Sequence, residues 1–208
     1  MTHALQVADA DRPLVQRARE GDFEAFEHLV ARYERRLYTL AMRIVRNVQD
    51  AEEAVQETFL SVVEHLRDFR EQSTFHTWLV QITTNHALKI LRKRRGLKTV
   101  PIDNGDDQPL PHPQVIAPWR EEPSAIAQRR EARDLLDQAM EQLDEKYRFV
   151  FLLRDVEGLS TAQTAETLGI TVTNTKVRLL RARLLLREHL TKAFGDEAKR
   201  LMPHAHDG

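Results

Sequence analysis

The chain contains no cysteine. That removes disulfides, thiolate zinc sites and cysteine nucleophiles together, and it fits a reducing compartment. Equally missing are an apolar run of membrane-spanning length and, near the N-terminus, the charged-then-apolar pattern of a secretory signal, so a cytoplasmic protein without membrane insertion is expected. An excess of one charge is lacking too. The 31 Lys and Arg against 32 Asp and Glu leave a formal net charge of −1, which excludes a generally basic nucleic-acid coat and confines any polyanion contact to local clusters. No stretch alternates in the manner of a strand. The nine histidines are scattered without a nucleophile–base pair or ligand set. No enzyme, metal or cofactor is therefore expected, and His204 and His206 read as tail.

Proline and glycine are scarce except where they divide the chain. Six of the eight prolines (Pro101, Pro109, Pro111, Pro113, Pro118 and Pro123) fall within 97–123, together with Asp103, Asp106, Asp107, Glu121 and Glu122. Such a segment neither forms a helix nor buries a core, so it reads as a flexible acidic linker. The expected organisation is all-α: a helical domain over 1–96, the linker over 97–123, a second helical domain over 124–195, and a disordered tail over 196–208.

In the first domain Asp22 is placed as the N-cap of a helix whose apolar stripe runs from Phe23, Phe26, Leu29, Val30 and Tyr33 to Ile44 and Val45, closing near Asn47. Asp50 and Glu53 suggest a capping box for a second helix with Ala54, Val55, Thr58, Phe59, Val62, Val63 and Leu66 inward and acids outward. A loop over 68–73 then leads into a third helix through Phe75, Trp78, Leu79, Ile82, Thr83, Ala87, Ile90 and Leu91. That helix runs into a basic cluster: residues 86–98 hold six cations and no acid. In the second domain, helices over 126–143 and 144–156 precede a helix-turn-helix. Ser160 and Gln163 form its capping box, Ala165 allows close approach, Gly169 ends the first helix, and Ile170 and Val172 anchor the turn. Residues 172–192 carry six cations against Glu188 alone, at a spacing that suggests a groove-reading helix.

Four stretches carry a resemblance to a known family. These are Gly21-Asp-Phe-Glu-Ala-Phe26, Asp50-Ala-Glu-Glu-Ala-Val-Gln-Glu-Thr-Phe59, Phe69-Arg-Glu-Gln-Ser-Thr-Phe75-His-Thr-Trp78, and Leu152-Leu-Arg-Asp-Val-Glu-Gly-Leu-Ser160 leading into the helix-turn-helix. In order and spacing the chain resembles the extracytoplasmic-function (ECF) sigma factors of bacterial RNA polymerase, within the sigma-70 family, over nearly its whole length. The resemblance implies a region 2 domain that binds core polymerase and the melted downstream promoter element, and a region 4 domain that reads the upstream element as duplex. It implies as partners the clamp and flap of core RNA polymerase, promoter DNA, and an anti-sigma factor.

Residue by residue, it implies clamp contacts through Asp50, Glu52, Glu53, Gln56, Glu57 and Phe59, whose acceptors suit a basic partner. It implies capture of single-stranded bases through Ser73, Phe75, Trp78, Asn85, Lys89 and Arg92, which supply aromatic platforms, an amide and backbone-binding cations. Phe75 and Trp78 also lie on the apolar stripe, so core and base-contacting roles both stay open for them. For the duplex it implies Lys176, Val177, Arg178, Leu180, Arg181 and Arg183. Thr175 and Val177 depart from the family's usual residues, which changes the sequence read: Val177 and Leu180 make only apolar contacts. The linker would thread the polymerase's RNA path or serve as a plain tether. Two other classes remain open from the residues alone, a dimeric helix-turn-helix repressor or activator and a polymerase adaptor without promoter specificity.

Overall fold

Several helices begin where a short polar side chain takes up a free amide. Asp22 accepts the Ala25 amide at 3.1 Å and the Arg17 Nε at 2.7 Å, opening α2 (Phe23–Val45). Arg46 ends that helix in the left-handed region at φ 53°. Its neighbour Asn47 then accepts the Asp50 amide at 3.0 Å and opens α3 (Val48–His65). Asp50 is therefore the third residue of α3 and not its cap, a correction to the expected capping box. Thr74 accepts the Thr77 amide at 3.1 Å to start α4 (Phe75–Arg94).

The structure, a computed structural model, describes residues 2–69, 73–96 and 130–194. All regular elements among them are helical. The expected linker over 97–123 and the tail over 196–208 lie outside the described residues. By packing, the chain divides into one unit of Met1–Pro101 with Glu157–Leu159 and another of Ile102–Val156 with Ser160–Gly208.

In the first unit α2, α3 and α4 pack on one another, and a helix not foreseen from the sequence, α1 (Thr2–Arg19), lies against α2 and α4. Pro13 disguises α1, because an interior proline reads as a breaker. What holds α1 in place is Asp11, nearly inaccessible, whose carboxylate accepts from both Arg32 and Tyr33 of α2. Burial is the main reason the Tyr33 phenol is pushed well above its usual range. The α3–α4 seam is built from small residues, with Ala51, Ala54, Thr58, Thr83 and Ala87 fully buried. Thr58 donates to the Ala54 carbonyl at 2.6 Å and Thr83 to the Leu79 carbonyl at 2.9 Å, so neither hydroxyl is stranded where the helices meet. Two expected core residues fall outside: Phe23 is 70% exposed and Val63 61%.

The second unit comprises α5 (Arg130–Gln142), α6 (Glu145–Phe151) running into a π turn (Leu152–Val156), α7 (Thr161–Leu168) and α8 (Val172–Phe194). Ala139, Met140, Leu143, Tyr147, Ala182 and Leu186 form a core between α5, α6 and α8. The capping box is present: Ser160 accepts the Gln163 amide at 3.2 Å while Gln163 Oε1 accepts the Ser160 amide at 2.9 Å. Gly169, at φ 67°, ends α7, and Thr171 accepts the Asn174 amide at 3.1 Å to start α8. Replacing Ser160 with alanine should lower stability by about 1 kcal/mol through loss of the cap, measured as an earlier denaturant midpoint at unchanged slope; an unchanged midpoint would show the cap to be redundant.

Candidate nucleic-acid and protein interfaces

Three helix faces stay outside the cores. On α3, Glu52, Glu53, Gln56, Glu57 and Leu60 are exposed. Beside them an apolar groove of about 650 Å³ runs between α2 and α3, lined by Phe26, Tyr38, Val55, Phe59, Leu60 and Val63 and edged by Glu34, Arg35, Glu52 and Gln56. Leu60 is 51% exposed, a groove residue that the sequence reading passed over. Phe59 is half-buried in the groove wall. Asp50 sits elsewhere, on the flank nearest α4, where it accepts from Arg94. Arg94 also donates to the Val45 carbonyl at 2.9 Å, so this pair ties the end of α4 to the α2–α3 corner.

On α4, Asn85 and Lys89 are exposed while Trp78 and Arg92 are half-buried. With 100° per residue these four lie within about 60° of one another around the axis and span about 21 Å along it. Trp78 stacks on Phe69 with ring centroids 4.9 Å apart. Phe75 is buried, edge-on to Tyr33 at 5.8 Å and to Phe69 at 5.9 Å, which places it in the core beneath the stripe. Ser73 is half-buried just ahead of α4. His86, near Asn85 and Lys89, pairs through Nε2 with Ser61 Oγ of α3 at 3.0 Å.

On α8 the expected cationic face divides. Lys176, Leu180, Arg183 and Arg187 are exposed and Val177 is half-buried, but Arg178 is fully buried and Arg181 is 3% exposed. Helical geometry is the reason: counted from Lys176, Arg178 lies about 200° and Arg181 about 140° around the axis, whereas Leu180, Arg183 and Arg187 fall within about 40°. Arg181 donates to the Tyr147 hydroxyl at 3.4 Å, while the Arg178 guanidinium finds no hydrogen-bond partner among the described residues. Arg183 is exposed but engaged by Asp155 of the π turn. Among the described residues no group of three or more His, Cys, Asp or Glu side chains could hold a metal ion, and no helix is long and apolar enough to cross a membrane.

Comparison with known proteins places these faces in a family. Residues 29–96 match the family model described as Sigma-70 region 2, and residues 133–186 that described as Sigma-70, region 4. The chain is 32% identical over 176 residues to the RNA polymerase sigma-H factor of Pseudomonas aeruginosa, covering 84% of this chain and 91% of that one. It is 29% identical to the ECF RNA polymerase sigma factor SigW of Bacillus subtilis, covering 85% and 94%. Among solved structures, that of CnrH in complex with the cytosolic domain of CnrY superposes with a TM-score of 0.56 at 26% identity, covering 88% of this chain and 98% of CnrH. A structure of RpoE with the anti-sigma factor NepR from Bartonella quintana shares the fold at a TM-score of 0.54 and 21% identity. The chain belongs to the ECF family of RNA polymerase sigma factors and is an alternative sigma factor.

His86 gives this face a pH dependence. Burial, more than the nearby Lys89, holds its pKa below the ordinary 6.5, and Glu57 opposes that shift. Below 6.5 the unfolded chain therefore binds the proton more readily than the folded one, and stability falls as the pH drops through that value. The loss in melting temperature between pH 7.5 and 5.5 should be smaller in His86→Gln than in the wild type; parallel curves would exclude His86 as a contributor.

Proposed function

We propose that this sigma factor docks on the clamp of core RNA polymerase through α3, holds the opened downstream promoter strand along α4, and reads the upstream element as duplex with α8. The whole would direct promoter recognition, DNA melting and transcription initiation in the cytoplasm. The observation that carries this reading is the α4 stripe. An aromatic ring, an amide and two cations along one face are what a single strand requires: a surface for stacking, a hydrogen-bonding group for a base edge, and charge for the backbone. Trp78 is the stacking surface, and Phe75 supports it from the core. Asn85 reads the base edge, and Lys89 and Arg92 hold the phosphates.

For the clamp, Glu52, Glu53, Gln56 and Glu57 supply acceptors and steering charge. The groove beside them supplies apolar area, with Phe59 and Leu60 in its wall. Asp50 acts here through Arg94, as a positioning residue. For the duplex, Lys176, Val177 and Leu180 occupy the N-terminal half of α8, the part of a recognition helix that meets base edges. Arg178 and Arg181 support the helix from its inner side. We further propose an anti-sigma factor as a restraining partner, supported by the likeness to CnrH, which was solved with the cytosolic domain of CnrY.

The chain should co-purify with core polymerase and confer promoter-dependent transcription; a dimeric repressor would do neither, and an adaptor only the first. Leu60→Glu should weaken core binding at least about tenfold, the effect of a desolvated apolar anchor worth about 1.4 kcal/mol or more, without loss of helicity. Unaltered core affinity would remove the α3 groove from the docking surface. Asn85→Ala should fold and bind core polymerase normally yet fail to open the downstream element. A template pre-opened by mismatches should rescue it only in part, because the base contact is still missing after melting is supplied. Wild-type transcription by Asn85→Ala from intact duplex would overturn the α4 assignment.

A further inference from the structure

Arg183 lies on the exposed face of α8 but is not presented there as a lone cation. Its Nε donates to Asp155 Oδ2 at 2.8 Å and its Nη2 to Asp155 Oδ1 at 2.7 Å, a two-point pairing of guanidinium and carboxylate. The Asp155 side chain is 21% exposed and that of Arg183 54%. The carboxylate comes from the π turn Leu152–Val156, the wide turn that follows α6. Turns of this kind interrupt helices at functional positions. The hydrogen bonds to Asp155 also raise the Arg183 pKa above its ordinary value, so the guanidinium keeps its charge.

We propose that Asp155 is a specificity-determining residue: it neutralises Arg183 on the duplex-facing side of α8 and so withholds one phosphate ligand from DNA of arbitrary sequence. The inference rests on the reading of α8 as the duplex-binding helix. Three cations, Lys176, Arg183 and Arg187, share that exposed face. Arg183 stands eleven residues into the helix that starts at Val172, about 16 Å along its axis. There a recognition helix has passed the base edges and approaches the backbone. A cation in that position strengthens binding to every sequence alike and carries no information. Paired at two points with Asp155, it adds no net charge, and its Nε edge is already occupied. An approaching phosphate would meet the carboxylate as well as the guanidinium. Asp155 thus trades affinity for any duplex against discrimination by Lys176, Val177 and Leu180.

The test is binding of the full-length chain to a duplex of unrelated sequence, followed by fluorescence anisotropy across a salt series. Asp155→Asn keeps the side-chain shape and removes the charge. It should bind about tenfold more tightly near 50 mM salt, with the salt slope steeper by about 0.9, the signature of one added phosphate contact. The promoter-to-unrelated discrimination of the holoenzyme should fall accordingly. The double variant Asp155→Asn/Arg183→Ala should lose the gain, since the released cation is gone. The charge exchange Asp155→Arg/Arg183→Asp restores a neutral pair and should return the slope to the wild-type value, which keeps the test decisive if either single variant folds poorly. Weaker binding by Asp155→Asn would mean that the carboxylate orients Arg183 for contact, and an unchanged slope that the pair merely braces the fold; either overturns the inference. Lys176→Ala separates the levels. If it leaves holoenzyme binding to the promoter duplex untouched, the assignment of α8 itself fails; if it weakens that binding while Asp155→Asn does not strengthen binding to unrelated DNA, only the role of Asp155 fails.

Discussion

The rotation of α4 about its own axis is the constraint on which the first unit depends. Leu79, Val80, Thr83 and Ala87 have no accessible surface and Leu88 and Leu91 almost none, because α4 is covered by α2 on one side and by the small-residue seam of α3 on the other. Burying each leucine stabilises the fold by about 1.5–3 kcal/mol, so a turn of the helix that exposed this set would be prohibitive. The outward face follows from the inward one. With those residues fixed inside, Trp78, Asn85, Lys89 and Arg92 are left along the opposite side, on a helix too tightly seated to present anything else.

The same reasoning decides α8, with a different result. Ala182 is fully buried and Leu179 and Leu186 nearly so, which sets the inner side of the helix and sends Lys176, Leu180, Arg183 and Arg187 outward. Arg178 and Arg181 belong by periodicity to the inner half. A charged residue two positions from another on a helix faces away from it, whatever the local density of positive charge. Cationic spacing alone therefore overstates the exposed cationic face of this helix.

Capping chemistry is the most legible feature in this chain, because it depends on a few adjacent residues and on nothing distant. Asp22, Ser160 with Gln163, and Gly169 act as their residue types indicate. Asn47 was less visible, since Asp50 three residues on offered an equally plausible cap and only the backbone decides between them. The helix α1 was hidden by Pro13 and depends on a long-range partner, the buried Asp11 with Arg32 and Tyr33, that no local pattern reveals. Val63 and Leu60 show the limit of apolar periodicity: a stripe wide enough for a core can extend past it, and the surplus forms the α2–α3 groove. On α4, the residue types of the proposed strand-binding stripe could be read directly, but which aromatic faces outward could not. Packing separates Phe75 from Trp78.

Formal charge counts hide a further layer of organisation. Of the cations that make residues 86–98 look basic, Arg94 is taken up by Asp50 and the Val45 carbonyl. Of those in α8, two are buried and Arg183 is neutralised by Asp155. Asp50 and Asp155 are thus spent internally, each on a cation that its neighbouring helix would otherwise present alone. Each cation neutralised in this way is one fewer for phosphates, and affinity for DNA rises steeply with the number of phosphates contacted. Two weak sites become a strong one only when something fixes their separation, because the second contact is then made at high effective concentration. On the proposed reading that scaffold is core polymerase, and internal neutralisation would make promoter binding conditional on it.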